Sequence, residues 1–192
     1  MYAKWAASTP PEFRFAVKVP RLITHEHKLR HPRSPFERFL AETNGLGYHR
    51  GPLLLQLPPS FAFEGPAAAR FFEMVRARYE GPIVCEPRHP TWFAARAHAL
   101  MNRYAVARAA ADPAITDGSS APGGWSGIAY FRLHGSPQMY RSRYEASYLS
   151  PLAALLRKIS ESVEVWCVFD NTATGAAIEN AWELQQLLGD SR

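Results

Sequence analysis

The chain has 192 residues, with 22 Lys and Arg against 17 Asp and Glu and a formal charge of +5. That length suits one sizeable core, no apolar run is long enough to span a bilayer, and Met1–Trp5 lacks the apolar stretch of a secretory signal. Two cysteines, Cys85 and Cys167, lie inside apolar strand-like runs, so buried thiols of a cytosolic protein are expected rather than a disulfide framework. The charge is uneven: residues 1–50 hold nine Lys/Arg against four Asp/Glu, and residues 51–192 hold thirteen of each. A basic first quarter suits phosphate or nucleic-acid contacts, or a plain solvated surface.

In chain order, residues 1–9 read as the end of a helix anchored by Trp5 and stopped by Pro10 and Pro11. Phe13–Val19 alternates strictly and predicts a strand. Ser34-Pro35-Phe36-Glu37 predicts a capped helix start, closed by Gly45 and Gly47. Strands follow at 53–57, 83–86, 104–112, 128–133 and 163–169, with helices at about 66–79, 92–103, 150–159 (capped by Ser150-Pro151) and 175–188. Residues 113–126 are a Gly/Pro/Ser loop. The final helix carries Ile178, Ala181, Trp182 and Leu188 on its apolar face.

This strand–helix alternation predicts parallel strands joined by crossover helices, in one domain over residues 1–192. Side-chain parity favours a barrel-like closure over an open doubly wound sheet. If even-numbered positions face inward, Ala16, Lys18, Leu54, Gln56, Val84, Glu86, Arg88, Ala110, Asp112, Tyr130, Arg132, His134, Val168 and Asp170 point to the interior. The odd positions, such as Phe15, Leu55, Cys85, Phe131 and Phe169, are bulky and apolar and suit covering helices. The polar inward residues come late in each strand, so they converge on one mouth, where barrel enzymes build their sites.

Phe13–Arg21, Thr24-His25, Leu53–Pro59, Glu86–Trp92, Tyr130–Gly135, Tyr144 and Phe169-Asp170-Asn171 carry a resemblance to the YecE-like family of uncharacterised proteins. It covers essentially the whole chain and implies a TIM-type (β/α) barrel, with no implied reaction. Members usually begin with a strand bearing a Gly-Thr-Ser-Gly-Trp-like motif, a helix and a second strand, and none of these precedes Trp5 here. The resemblance therefore implies an incomplete barrel of six parallel strands, the family's third to eighth. The first and last would present unpaired edges. Three expectations follow: a truncated or mis-started product that is a non-catalytic remnant, a six-stranded open barrel, or an assembly that a partner completes.

The chemistry centres on the mouth. Glu86 and His134 are the candidate acid/base residues, with a structural ion pair and a structural histidine as the plain alternatives. Lys18, Arg21, Arg88 and Arg132 make the mouth cationic and suit an anionic, phosphate-bearing small molecule. His25, Gln56, His89, Trp92, Asp112, Tyr144, Asp170 and Asn171 complete the candidate binding set. Asp112 could equally cap the following loop, Asp170-Asn171 the last helix, and Trp92 could equally start the core face of the helix that follows it. Tyr140, Arg141, Arg143 and Tyr144 lie on a loop whose position in barrels often binds phosphate. A divalent metal held by some of His25, Glu86, His89, Asp112 and His134 is a further expectation, although no pair has a diagnostic spacing. No P-loop, dinucleotide glycine motif or serine-nucleophile motif occurs. The leading expectation is a hydrolase of phosphate-bearing substrates, and the alternative is a nucleic-acid-binding protein that uses the basic first quarter.

Overall fold

A computed structural model describes residues 1–189. Eight strands alternate with six α-helices: α1 (Tyr2–Ala7), β1 (Phe15–Lys18), α2 (Arg33–Thr43), β2 (Arg50–Gln56), α3 (Gly65–Arg76), β3 (Ile83–Glu86), α4 (Ala95–Arg103), β4 (Val106–Arg108), β5 (Ala110–Asp112), β6 (Gly123–Gly124), β7 (Ile128–Leu133), α5 (Ala146–Ser160), β8 (Glu164–Phe169) and α6 (Ala176–Gly189). They form two sheets, ordered β1-β2-β3-β4-β6 and β5-β7-β8. Every pairing is parallel except β4 with β6.

The strand expected at 104–112 is in fact two. Tyr104 ends α4, and Ala105 takes a positive φ of 52° before β4 begins. β4 pairs with β3, whereas β5 pairs with β7, so one extended segment leaves the first sheet and enters the second at Ala109. The Ala109 amide still donates to the Cys85 carbonyl at 2.9 Å. The glycines of β6 fill the edge of β4 that a continuous strand pair would occupy. Gly124 has φ +64°, and a Cβ there would sit 2.5 Å from the Val106 carbonyl oxygen. Gly124→Ala should therefore lower stability by about 1–3 kcal/mol, read from a denaturant melt.

Other boundaries shift for local reasons. α2 starts at Arg33 behind Pro32, and no side chain caps it, so the capping box expected at Ser34 does not form. α5 starts at Ala146 after an extended Glu145, with Pro151 inside the helix rather than at its start. The helix expected from Trp92 is a 3-10 turn, Pro90–Phe93, followed by α4. α6 turns Ala177, Asn180 and Leu184 inward, leaving Ile178 76 % and Trp182 65 % exposed, so the apolar face expected for it faces solvent.

Two apolar layers clothe the sheets. The outer faces of β1–β4 pack on α2, α3 and α4 through Phe36, Leu53, Leu55, Phe71, Phe72, Cys85 and Met101. Phe131, Leu133, Leu149, Leu156 and Leu184 join β7 to α5 and α6. Between the sheets, Leu54, Val84, Ala107, Ala109, Ile128 and Tyr130 form an interior cluster with Ala16, Trp166 and Val168. Even positions thus face inward on β1, β2, β3, β7 and β8. On the segment 106–112 the rule inverts: Ala107 and Ala109 face in, while Ala110 packs with Phe131 and Leu133 under α5. The number of residues in each connection sets a strand's parity, so it does not carry from one strand to the next.

The two sheets do not close on each other. Among the described residues β1 pairs only with β2, and β8 only with β7. Trp166 on β8 spans the interior, stacked 6.3 Å from Tyr130. Its ring occupies the space a Cβ at Gly51 would need. No helix among the described residues is long and apolar enough to cross a membrane.

Candidate functional site at the strand ends

Inward parity places the last inward residues of β2, β3 and β7 (Gln56, Glu86 and Arg132), and the residue after β8, at one end of the sheets. Gln56 pairs in register with Glu86, and Arg132 with Val168. His134 and Asp170 each follow a strand by one residue. Glu86 is the hub. Its Oε1 lies 2.8 Å from His134 Nε2, its Oε2 accepts from Arg132 Nε at 3.1 Å, and Arg88 Nη1 lies 3.5 Å from Oε1. Gln56 Nε2 donates to the same carboxylate at 3.3 Å. Asp170 Oδ2 closes the network, 2.9 Å from His134 Nδ1 and accepting from Arg132 Nη2 at 2.8 Å. One imidazole and one guanidinium are thus each shared by two carboxylates.

The electrostatics follow from this geometry. Burial alone would raise the Glu86 pKa, but the hydrogen bond from His134 and the charges of Arg132, His134 and Arg88 outweigh it and hold the carboxyl below its usual range. Asp170 is lowered in the same way: burial opposes the shift, while His134, Arg132 and Lys18 drive it. For His134 burial works downward, but its bonds to Asp170 and Glu86 raise it above an ordinary imidazole. The cluster therefore favours an imidazolium held between two carboxylates. Glu86 and His134 are sealed from solvent, whereas the Asp170 side chain is 30 % exposed. Asp170 is thus the carboxylate that meets the mouth, and His134, with both nitrogens engaged, stands behind it.

The remaining predicted residues divide. Lys18 is exposed at the end of β1 and acts on both Asp170 and His25. The His25 pKa is lowered by burial, then by Arg21 and Lys18, and its Nδ1 lies 2.8 Å from Thr24 Oγ1. Arg88 reaches the Met139 sulfur at 3.5 Å, while its buried Nη1 makes no hydrogen bond and has Glu86 Oε1 at 3.5 Å. These residues extend the mouth outward from Asp170.

His89 instead accepts from the Thr91 amide and begins the 3-10 turn. Trp92 is fully buried against Phe61 and Phe63 and donates to the Phe61 carbonyl at 2.9 Å, so it is core rather than pocket. Asp112 follows the inverted parity: its Oδ2 accepts from the Tyr144 hydroxyl at 2.6 Å on the helix side of the sheet. Asn171 is buried, donating to the Ser142 carbonyl and to Asn180 Oδ1. Arg143, expected in a phosphate-binding loop, pairs with Glu179 and Glu183 of α6.

Two further residues stand at the mouth, Tyr140 from the loop expected to bind phosphate and Met139, for which no role is expected. Tyr140 stands edge-on to His134, with ring centres 5.8 Å apart, and its φ of +68° turns the backbone over the site. Met139 lies beside Arg88. The Tyr/Arg-rich composition of this loop is a sequence signal, but which side chain turns inward depends on backbone angles that composition does not encode. Among the described residues, no three His, Cys, Asp or Glu side chains converge as a metal-binding group. His89 and Asp112 point elsewhere, and both nitrogens of His134 are already engaged. The basic first quarter is partly spent within the fold: Arg30 pairs with Glu64, and Arg14 and Arg50 lie over Tyr48 and Tyr79.

The chain is similar to solved structures of the same architecture. A DUF72 family protein from Thermotoga maritima MSB8 superposes with a TM-score of 0.82 at 23 % identity, covering 98 % of this chain and 78 % of that one. One from Enterococcus faecalis V583 gives 0.81 at 20 % identity, covering 100 % and 80 %. In sequence, 92 residues are 34 % identical to the UPF0759 protein YecE of Escherichia coli K12, a match spanning 47 % of this chain and 33 % of that protein. The family described as "Protein of unknown function DUF72" matches residues 1–192, and the chain belongs to it.

Proposed function

We propose that the mouth binds an anionic, phosphate-bearing small molecule and acts on it by hydrolysis, on the frame of a TIM-type barrel opened between β1 and β8. Arg88 Nη1 carries the reading: a buried guanidinium nitrogen that makes no hydrogen bond and has Glu86 Oε1 only at 3.5 Å, beside a mouth where Lys18 is exposed. Burying such a donor unmet costs free energy that a ligand oxyanion would recover. Asp170, backed by His134, is the carboxylate in position to exchange a proton with the ligand, and Arg132 holds it in place.

The test is a calorimetric titration with inorganic phosphate and a panel of phosphomonoesters, with and without Mg²⁺, Mn²⁺ or Zn²⁺. Saturable binding is expected, weakened at least tenfold by Arg88→Gln or Lys18→Ala. Phosphate release, where it occurs, should be lost in Asp170→Asn. Absence of binding at low salt, or binding indifferent to both cationic substitutions, would sink the reading.

A further inference from the structure

Asp112 belongs to no part of the mouth, and its surroundings are of a different kind. It stands at the end of β5, facing a cleft of about 270 Å³ between the second sheet and α5. Phe131 and Leu133 of β7 floor the cleft, and Tyr148, Leu152 and Leu155 of α5 wall it. No helix connects β5 to β7, because residues 113–127 run as a loop with only the short β6 in it. That loop is pinned by Arg108, which donates to the Gly118 carbonyl at 3.2 Å and lies 4.6 Å over the Phe93 ring.

Asp112 is the one charged side chain on a mostly apolar lining, whose other polar groups are Ser120, Ser147 and the Tyr148 hydroxyl. Among the described residues it pairs with no Lys, Arg or His. Its Oδ2 is taken by the Tyr144 hydroxyl, which in turn accepts from the Gly135 amide at 2.8 Å. This chain of bonds fixes the carboxylate in place without neutralising it. The Tyr148 phenol beside it has its pKa raised, first by burial and then by the Asp112 charge, so it stays neutral and presents an uncharged ring. A fixed carboxylate, a neutral aromatic ring and an apolar wall are the parts that recognise an organic cation.

We propose that this cleft is a second binding site, taking a small amphiphilic ammonium ion with its charged head on Asp112 and its apolar body along Leu152 and Leu155. The volume suits an arylalkyl amine of about ten heavy atoms. The site lies on the helix side of the sheet and uses no residue of the proposed anion site, so either can fail alone.

The probe is 2-phenylethylammonium, with 2-phenylethanol as its uncharged counterpart, each titrated into the intact chain by calorimetry and followed by the Tyr ring resonances. Saturable one-to-one binding of the ammonium, about millimolar or tighter, is expected. The alcohol should bind at least tenfold more weakly. Asp112→Asn keeps an oxygen for the Tyr144 hydroxyl and should weaken the ammonium at least tenfold while leaving the alcohol unchanged. Leu155 is 45 % exposed at the rim, so Leu155→Trp should fold normally and block both probes. No saturable binding of the ammonium, equal binding of the alcohol, or ammonium binding that survives Leu155→Trp overturns the proposal.

Discussion

Glu86→Gln is expected to lower the free energy of unfolding by about 3–5 kcal/mol, the range seen when one partner of a buried ion pair is removed. The reason lies in what the carboxylate holds. His134, Arg132 and Arg88 all lie within 3.5 Å of it, and none has more than about a tenth of its side chain in water. Glutamine fills the same space but leaves these groups facing a neutral amide that must also place its own donors. Asp170→Asn should cost distinctly less, because that side chain is 30 % exposed and water can replace part of the lost interaction. Urea melts of the two variants check this, and a loss below about 1 kcal/mol for Glu86→Gln would show that the hub does not hold the fold. Since Glu86→Gln weakens the fold itself, the activity comparison for the mouth rests on Asp170→Asn and Arg88→Gln.

Stability should also peak in a mildly acidic window. Glu86 and Asp170 have folded pKa values below their ordinary 4.5 and 3.8. Their contribution is present above those ordinary values and is lost as the pH falls through the lowered ones. His134 behaves oppositely. Its folded pKa is raised above 6.5, so its contribution is complete below 6.5 and disappears as the pH rises through the raised value. The cluster is thus worth most between about pH 4.5 and 6.5 and declines on both sides. Since the chain has seven histidines, the measurement is a difference: unfolding free energy against pH for the protein minus that for His134→Gln. The difference should shrink as the pH rises above 6.5, and a difference flat across that range would contradict an imidazolium between the two carboxylates.

Much of this was legible in the sequence. The alternating run Phe13–Val19 and the continuous apolar run Leu53–Leu57 both announce strands, the second because a strand of a helix-covered parallel sheet is buried on both faces. The same parity brought Glu86, Arg132, His134 and Asp170 to one end before any coordinate was known, and they meet there. It failed on one strand. Ala105 takes a left-handed backbone conformation before β4, an adjustment that residue types do not announce, so Asp112 went to the opposite side. For Trp92, where pocket and core were both open, the core holds. Its indole N–H found the Phe61 carbonyl, a partner 31 residues away in sequence, and a buried tryptophan with a satisfied donor is core. The assignment of roles within the cluster was also hidden. Only burial distinguishes Glu86, sealed behind Arg132, from Asp170, which meets solvent.

The crossing at Ala109 has a consequence for the cluster's existence. The molecule is two half-cores that share one extended segment, and the seam between them runs through the strand ends. Lys18, Gln56, Glu86 and Arg88 belong to one half, and Arg132, His134 and Asp170 to the other. If the halves part, the Glu86 contacts to Arg132 and His134 break, while the pairs of Asp170 with Arg132 and His134 stay on one half. A ligand held by both Arg88 and Asp170 would bind the docked form best and, by mass action, hold the halves together. On the proposed reading the charged cluster is then a latch as well as a binding site.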